Sequence, residues 1–299
     1  MSCDSPIQAY AGSVNPVTGK RPLQFSLSGS FSGVRQMLPC GKCAGCRLDR
    51  SRQWAVRCMH ESKMHSASCF VTLTYDADNL PTVGSLVPRD LQLFHKRLNM
   101  RLTRERGYGI RYYGCGEYGD LNKRPHYHSL IFGFDPPDKK LYSGEIYESD
   151  FLSDVWSLGG VKVGALTFES CAYVARYCMK KVDGKQREAG HYEVYDADGL
   201  IHERVPEFPH MSRRPGIGST YFDKYGSEIA LHDTIIVSGR EVPSIRYYDL
   251  KIEKLDPARL LLLKRNRRRK AVWFERTVDR RRVKEILRLK QLKLKERKL

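Results

Sequence analysis

Between residues 69 and 181 the apolar positions recur with two periods, and the switches between them divide the chain into elements. Cys69–Tyr75 (CFVTLTY) is β-branched and aromatic, which predicts a strand. Turn formers fill 76–88. Over Asp90–Arg104 the residues Leu91, Phe94, Leu98 and Leu102 fall on one face of a predicted helix. Ile110–Glu117 alternates as a strand, 118–125 reads as a turn, and His126–Phe134 (HYHSLIFGF) makes the next strand. A short helix over Asp150–Ser157, a short strand over Gly160–Leu166 and a helix over Glu169–Lys181 follow. The order β-α-β-β-α-β-α combines helical crossovers with one direct hairpin. It predicts an α+β fold, a central antiparallel sheet with flanking helices.

The flanks carry weaker signals. Residues 1–39 are rich in Ser, Gly and Pro and read as a loop-like arm. Arg47–Met64 reads as an amphipathic helix, with Leu48, Ala55, Cys58, Met59 and Ser62 near helical spacing and Arg47, Arg50, Arg52 and Arg57 on other faces. Residues 183–260 hold many Gly, Pro, His and Tyr and read as short strands and loops; from Leu260 the chain is helical and basic. The expected division is 1–68 (arm, cysteine run and basic helix), 69–182 (the α+β domain), 183–260 (a loop- and strand-rich extension) and 261–299 (a basic helical tail).

Charge sharpens this picture. The 299-residue chain has a net charge of +18, which implies a polyanionic partner such as nucleic acid. Lys264–Leu299 holds 17 Lys/Arg and 4 Asp/Glu, hence +13, and leaves the first 263 residues only +5. Leu287, Leu289, Leu292, Leu294 and Leu299 alternate with basic residues there but keep no strict heptad. A basic helix lying along DNA phosphates is the functional reading; a merely solvated tail and a membrane-surface helix are its rivals. No apolar run is long enough to span a bilayer and no secretory leader is visible, so the expected location is the cytoplasm, without membrane partners.

Three features carry chemistry together. In His126-Tyr127-His128 the two imidazoles lie on one face of a strand and can share an ion. Glu117 ends the preceding strand, and the turn brings it back beside His126. Two imidazoles and one carboxylate leave open positions, a donor set suited to a divalent ion acting on phosphate oxygens. Tyr173 and Tyr177 stand at i and i+4 on the last helix, with Lys180 on the same side and Lys181 further round. A phenol ionises near pH 10 in water, so an attacking tyrosine needs a cation beside it.

These motifs resemble those of HUH endonucleases. Phe70-Val-Thr-Leu-Thr-Tyr75 resembles the first motif, Glu117 with Arg124-Pro-His-Tyr-His128 the metal-binding second, and Tyr177-Cys-Met-Lys180 the third, with Tyr173 supplying the second tyrosine of the two-tyrosine subclass. The tyrosine helix follows the histidine motif, the order found in replication initiators. Pro39-Cys-Gly-Lys-Cys-Ala-Gly-Cys-Arg47, Gly116-Glu-Tyr-Gly119 and Met211-Ser-Arg-Arg-Pro-Gly-Ile-Gly218 are similar to stretches in gokushovirus replication initiators, of the microvirus family. The resemblance covers roughly residues 39–225. It implies an HUH nuclease domain of ferredoxin/RRM-like fold over 69–182. His126, His128 and Glu117 would hold Mg²⁺ or Mn²⁺. Tyr177 and Tyr173 would nick and rejoin single-stranded DNA at a viral origin through a 5′-phosphotyrosine, with Lys180 as phosphate or phenolate stabiliser. Spacing favours Tyr177 as the first nucleophile. The setting would be the cytoplasm of a bacterial host. The Gly-Lys pairs at 19–20, 41–42 and 184–185 are followed by Arg, Cys and Gln, so no phosphate loop is visible and a host helicase, like the host polymerase, is an expected partner. Two other readings remain: a non-catalytic nucleic-acid-binding protein with a zinc knuckle, and a transposase of the same nuclease class.

Cys40, Cys43 and Cys46 form a CxxCxxC run. It can wrap a structural Zn²⁺ given a fourth ligand, for which Cys58, His60, His65 and Cys69 are near in sequence. Free thiols and an iron–sulfur cluster are the alternatives.

Overall fold

The computed structural model describes residues 3–17, 19, 21–176, 189–196, 198–271 and 277–296. The chain divides into two compact units, one of residues 51–266 and another of residues 1–50 with 267–299. The strands are β1 (Ile7–Ala11), β2 (Leu23–Gln24), β3 (Arg35–Leu38), β4 (Ser68–Thr74), β5 (Arg111–Tyr118), β6 (Pro125–Phe132), β7 (Lys140–Ser143), β8 (Ile146–Glu148), β9 (Val161–Ala165), β10 (Glu193–Tyr195), β11 (Ile201–Glu203), β12 (Phe208–Met211), β13 (Thr234–Val237) and β14 (Arg240–Pro243). The helices are α1 (Ala44–Ser62), α2 (Pro88–Arg106), α3 (Asp150–Trp156), α4 (Phe168–Ala175), α5 (Ser219–His232), α6 (Arg246–Leu255), α7 (Pro257–Arg269) and α8 (Val278–Glu296).

The larger unit is built on a seven-stranded antiparallel sheet of order β12-β5-β6-β4-β9-β8-β7. Alternation along each strand sends side chains into two separate cores. On one face Val71, Leu73, Tyr127, Ile131 and Val163 meet Leu91, Phe94, Leu98 and Leu102 of α2 and Trp156 of α3. On the other face Tyr113, Cys115, Leu130 and Phe132 meet Ala55 and Cys58 of α1 and Cys171 and Val174 of α4. The opposite side of α1 supports a third core, where Val56 joins Tyr221, Phe222, Tyr248, Ile252 and Leu260. The fold is thus the expected α+β sheet with flanking helices.

Glu61 of α1 ties these layers together. Its buried carboxylate accepts hydrogen bonds from Arg111, from the Gly218 amide at 2.6 Å and from His65 at 3.4 Å. Burial alone would raise its pKa, but those donors hold it below the ordinary value.

Two flanking segments differ from the sequence reading. The arm at 1–39 holds an antiparallel sheet of order β2-β1-β3. Within 183–260 the short strands are present, but so are α5, α6 and the start of α7. Their start signals are missing from the sequence. Gly218 precedes α5 and Ile245 precedes α6, and neither offers a side-chain cap. The basic C-terminal region is helical as α7 and α8. Among the described residues no helix is long and apolar enough to cross a membrane.

Candidate active site

The site grows from the hairpin between β5 and β6. The Gly119 amide donates to the Arg124 carbonyl at 3.0 Å and closes the turn. Arg124 then reaches across to β4, donating to the carbonyls of Tyr75 (2.8 Å) and Asp76 (3.1 Å). Register follows from this anchoring. His126 lies opposite Glu117 on one side and Thr74 on the other; His128 lies opposite Cys115 and Thr72. The odd residue between them turns away, as alternation requires. Tyr127 is fully buried in the α2 core, where its hydroxyl meets Tyr75 at 2.7 Å and the Val87 amide at 2.9 Å.

The two imidazoles converge on one carboxylate oxygen. Glu117 Oε1 lies 3.2 Å from His126 Nε2 and 3.2 Å from His128 Nε2, and these three residues are grouped closely enough to hold one ion. Each ring is fixed from behind through Nδ1, His126 by the Arg124 carbonyl at 3.2 Å and His128 by the Thr72 hydroxyl at 3.0 Å. A ring held through Nδ1 offers Nε2 as the donor atom, which is how histidine ligands are commonly supported. The rings stand at 83° to one another, so their donor atoms approach a shared point from different directions. The set fits a divalent cation.

Tyr173 reaches the same place. Thr167 and Ser170 form a reciprocal capping box at the start of α4, and Cys171, Val174 and Ala175 bury its apolar side. Tyr173 then lies against the sheet, with its hydroxyl donating to Glu117 Oε1 at 3.0 Å and its ring edge-on to His128 at 4.9 Å. Burial, and after it the Glu117 charge, pushes the phenol well above its ordinary pKa. The Arg176 guanidinium sits 5.5 Å from the centre of the same ring. Tyr177, Lys180 and Lys181 lie outside the described residues.

The cysteine run finds its fourth thiol elsewhere than the sequence suggested. Cys40, Cys43 and Cys46 gather with Cys3, all four sulfurs lying within 4.8 Å of one another. The four residues near in sequence are engaged in other places. Cys58 and Cys69 are buried in the cores on the two faces of the large sheet, His60 bonds Tyr248, and His65 bonds Glu61. Cys3 escaped notice because it is remote in sequence. Thr72 and Arg124 escaped as supports because their roles depend on strand pairing, although the TLT and RPH stretches were visible.

Comparison with known proteins is consistent with this arrangement. A family of replication-associated proteins, described by its ORF2 member, matches residues 68–182. The chain is 34% identical to "Replication-associated protein VP4" of Bdellovibrio phage phiMH2K, over 86% of this chain and 79% of the relative. It is also 34% identical to "Replication-associated protein ORF2" of Spiroplasma virus 4, over 74% and 69% respectively. "Replication-associated protein ORF4" of Chlamydia phage 1 matches at 34% identity over 77% of this chain and 58% of the relative. No solved structure matches the chain. With such identity over most of its length, the chain belongs to the replication-associated proteins of microvirus phages.

Proposed function

We propose that this protein starts rolling-circle replication by nicking and rejoining single-stranded DNA at a viral origin through a 5′-phosphotyrosine link. The observation that carries the reading is the meeting of a phenol, two imidazoles and a carboxylate at one point: Tyr173 Oη and both Nε2 atoms contact Glu117 Oε1. His126, His128 and Glu117 would hold Mg²⁺ or Mn²⁺. When bound, such an ion polarises the scissile phosphate and offsets the carboxylate charge that opposes phenol ionisation.

The chain's own groups account for the rest. A tyrosine oxygen attacks the phosphorus, forming a Tyr–O–P bond to the 5′ side and breaking the bond to the 3′ oxygen. For Tyr173, the phenol proton leaves along its existing hydrogen bond toward Glu117 Oε1. The departing 3′ oxygen takes a proton from solvent and becomes the primer end for a host polymerase. Arg176 adds positive charge beside the Tyr173 ring, which favours both phenolate and phosphate. Tyr177 is the partner nucleophile, placed by helical spacing, and Lys180 its phosphate-stabilising neighbour. Alternating attacks by the two phenols would cut the regenerated origin and reseal the first strand. The relatives' names support replication over the transposase reading.

The test is incubation of the purified chain and Mn²⁺ with single-stranded oligonucleotides tiling the genome that carries its gene, resolved on a denaturing gel. One oligonucleotide should give a protease-sensitive covalent adduct and a free 3′-OH fragment, both absent with EDTA. His128→Ala and the double variant Tyr173→Phe/Tyr177→Phe should give neither. Adduct lost in Tyr177→Phe and kept in Tyr173→Phe would make Tyr177 the first nucleophile; the opposite pattern would make it Tyr173. Cleavage without a protein link, or an adduct surviving in the double variant, overturns the reading.

A further inference from the structure

We propose that Cys3, Cys40, Cys43 and Cys46 hold one structural Zn²⁺, and that this ion fastens the basic helix α8 to the N-terminal sheet through the neighbouring residue Asp4. This inference is independent of the nicking reaction and concerns only the unit formed by residues 1–50 and 267–299.

The sulfur geometry matches a tetrahedral zinc site. A Zn–S bond of about 2.3 Å places sulfurs about 3.8 Å apart along each edge of a tetrahedron. Cys43 Sγ and Cys3 Sγ are 3.8 Å apart, and all four sulfurs fall within 4.8 Å. A disulfide needs about 2.05 Å, and every described cysteine is a free thiol.

The surroundings suit thiolates. The Cys40 amide donates to Cys3 Sγ at 3.2 Å, the Cys43 amide to Cys40 Sγ at 3.3 Å, and the Asp4 amide to Cys43 Sγ at 3.2 Å. Zinc binding exchanges the thiol protons for one ion: four thiolates and Zn²⁺ leave a net charge of −2, with the protons released to buffer. Amides aimed at sulfur disperse that charge. The site also closes a long loop, since Cys3 is 37 residues from Cys40 in sequence. That span contains the whole β2-β1-β3 sheet.

Asp4 carries the connection onward. Its side chain is 1% exposed. One carboxylate oxygen accepts the Gly45 amide in the first turn of α1 at 2.7 Å, and the other pairs with Arg288 of α8. A buried carboxylate is tolerated only when paired in this way. Its place is set by Cys3 on one side and by its own amide's bond to Cys43 on the other, so releasing the metal loosens the partner that Arg288 relies on.

The experiment measures metal content by mass spectrometry of the full chain purified without chelator, and backbone hydrogen exchange of residues 278–296 with and without metal. We expect about one zinc per chain. Cys3→Ser should lose that zinc on brief exposure to EDTA, while Cys58→Ser, whose sulfur lies apart from the cluster, keeps it. Zinc removal or Cys3→Ser should speed exchange in α8 by about tenfold or more. Asp4→Asn should keep the zinc and still speed α8 exchange, separating the ion's binding from its mechanical connection. Absence of zinc, iron in its place, retention by Cys3→Ser, or α8 exchange indifferent to the metal or to Asp4 would each overturn the proposal.

Discussion

His60 shows at the residue scale how a polar group is accommodated between cores. It is fully buried on α1, accepting at Nδ1 from the Tyr248 hydroxyl (2.7 Å) and donating from Nε2 to the Ile236 carbonyl (3.1 Å). Burial holds its pKa down at about 4, against an ordinary 6.5. The folded chain therefore keeps this ring neutral while the unfolded chain protonates it below pH 6.5. Its contribution is complete above that value and declines as pH falls toward 4. Between pH 7 and pH 5 the loss should be about 2 kcal/mol. His95, held low by its own burial, acts in the same direction. Urea unfolding at the two pH values should show His60→Gln losing about 2 kcal/mol less than the parent chain over that interval. Equal losses in the two proteins would assign the pH dependence elsewhere.

Strand β6 does most of the positioning at the scale of elements. Its even residues face α1 and α4 and present His126 and His128; its odd residues enter the α2 core. Close pairing with β5 keeps that alternation in register. Gly114 of β5 lies opposite Ser129, and a Cβ there would stand 2.8 Å from the His128 carbonyl oxygen. Gly114→Ala should therefore push the strands apart at the ligand histidine. The expected cost is about 1–3 kcal/mol in denaturant unfolding. Mn²⁺ affinity, read by calorimetry, should fall by about tenfold or more. Much of this was legible in the sequence. The HYH alternation and the α2 face of Leu91, Phe94, Leu98 and Leu102 are local periodicities, and local periodicity survives folding. Other features were not legible because they are pairings between distant segments. Phe208–Met211 adds itself to β5, Thr72 backs His128, and Cys3 joins a cluster that begins at Cys40. In α5, Gly226 within the helix and Gly218 before it obscured the helical pattern.

At the scale of the whole molecule, charge is divided unevenly between region and region. Residues 277–299 hold 10 Lys/Arg against 3 Asp/Glu, while the carboxylate of the candidate site is buried in the sheet. If the tail neutralises phosphates, removing residues 277–299 should weaken single-stranded DNA binding most at low salt. It should also flatten the salt dependence by about 0.7 in log–log slope for each phosphate no longer neutralised. Fluorescence anisotropy between about 50 and 200 mM salt, the range over which phosphate neutralisation is most visible, checks this. An unchanged slope would make the tail a passive solvated helix. The candidate site itself depends on no such long-range attraction. Two imidazole rings set 83° apart, each locked through Nδ1, hold their bearings before any ion arrives. Capture then demands no ordering of a loop, and release no unravelling. The pace of exchange passes from the polypeptide to the hydration shell of the cation.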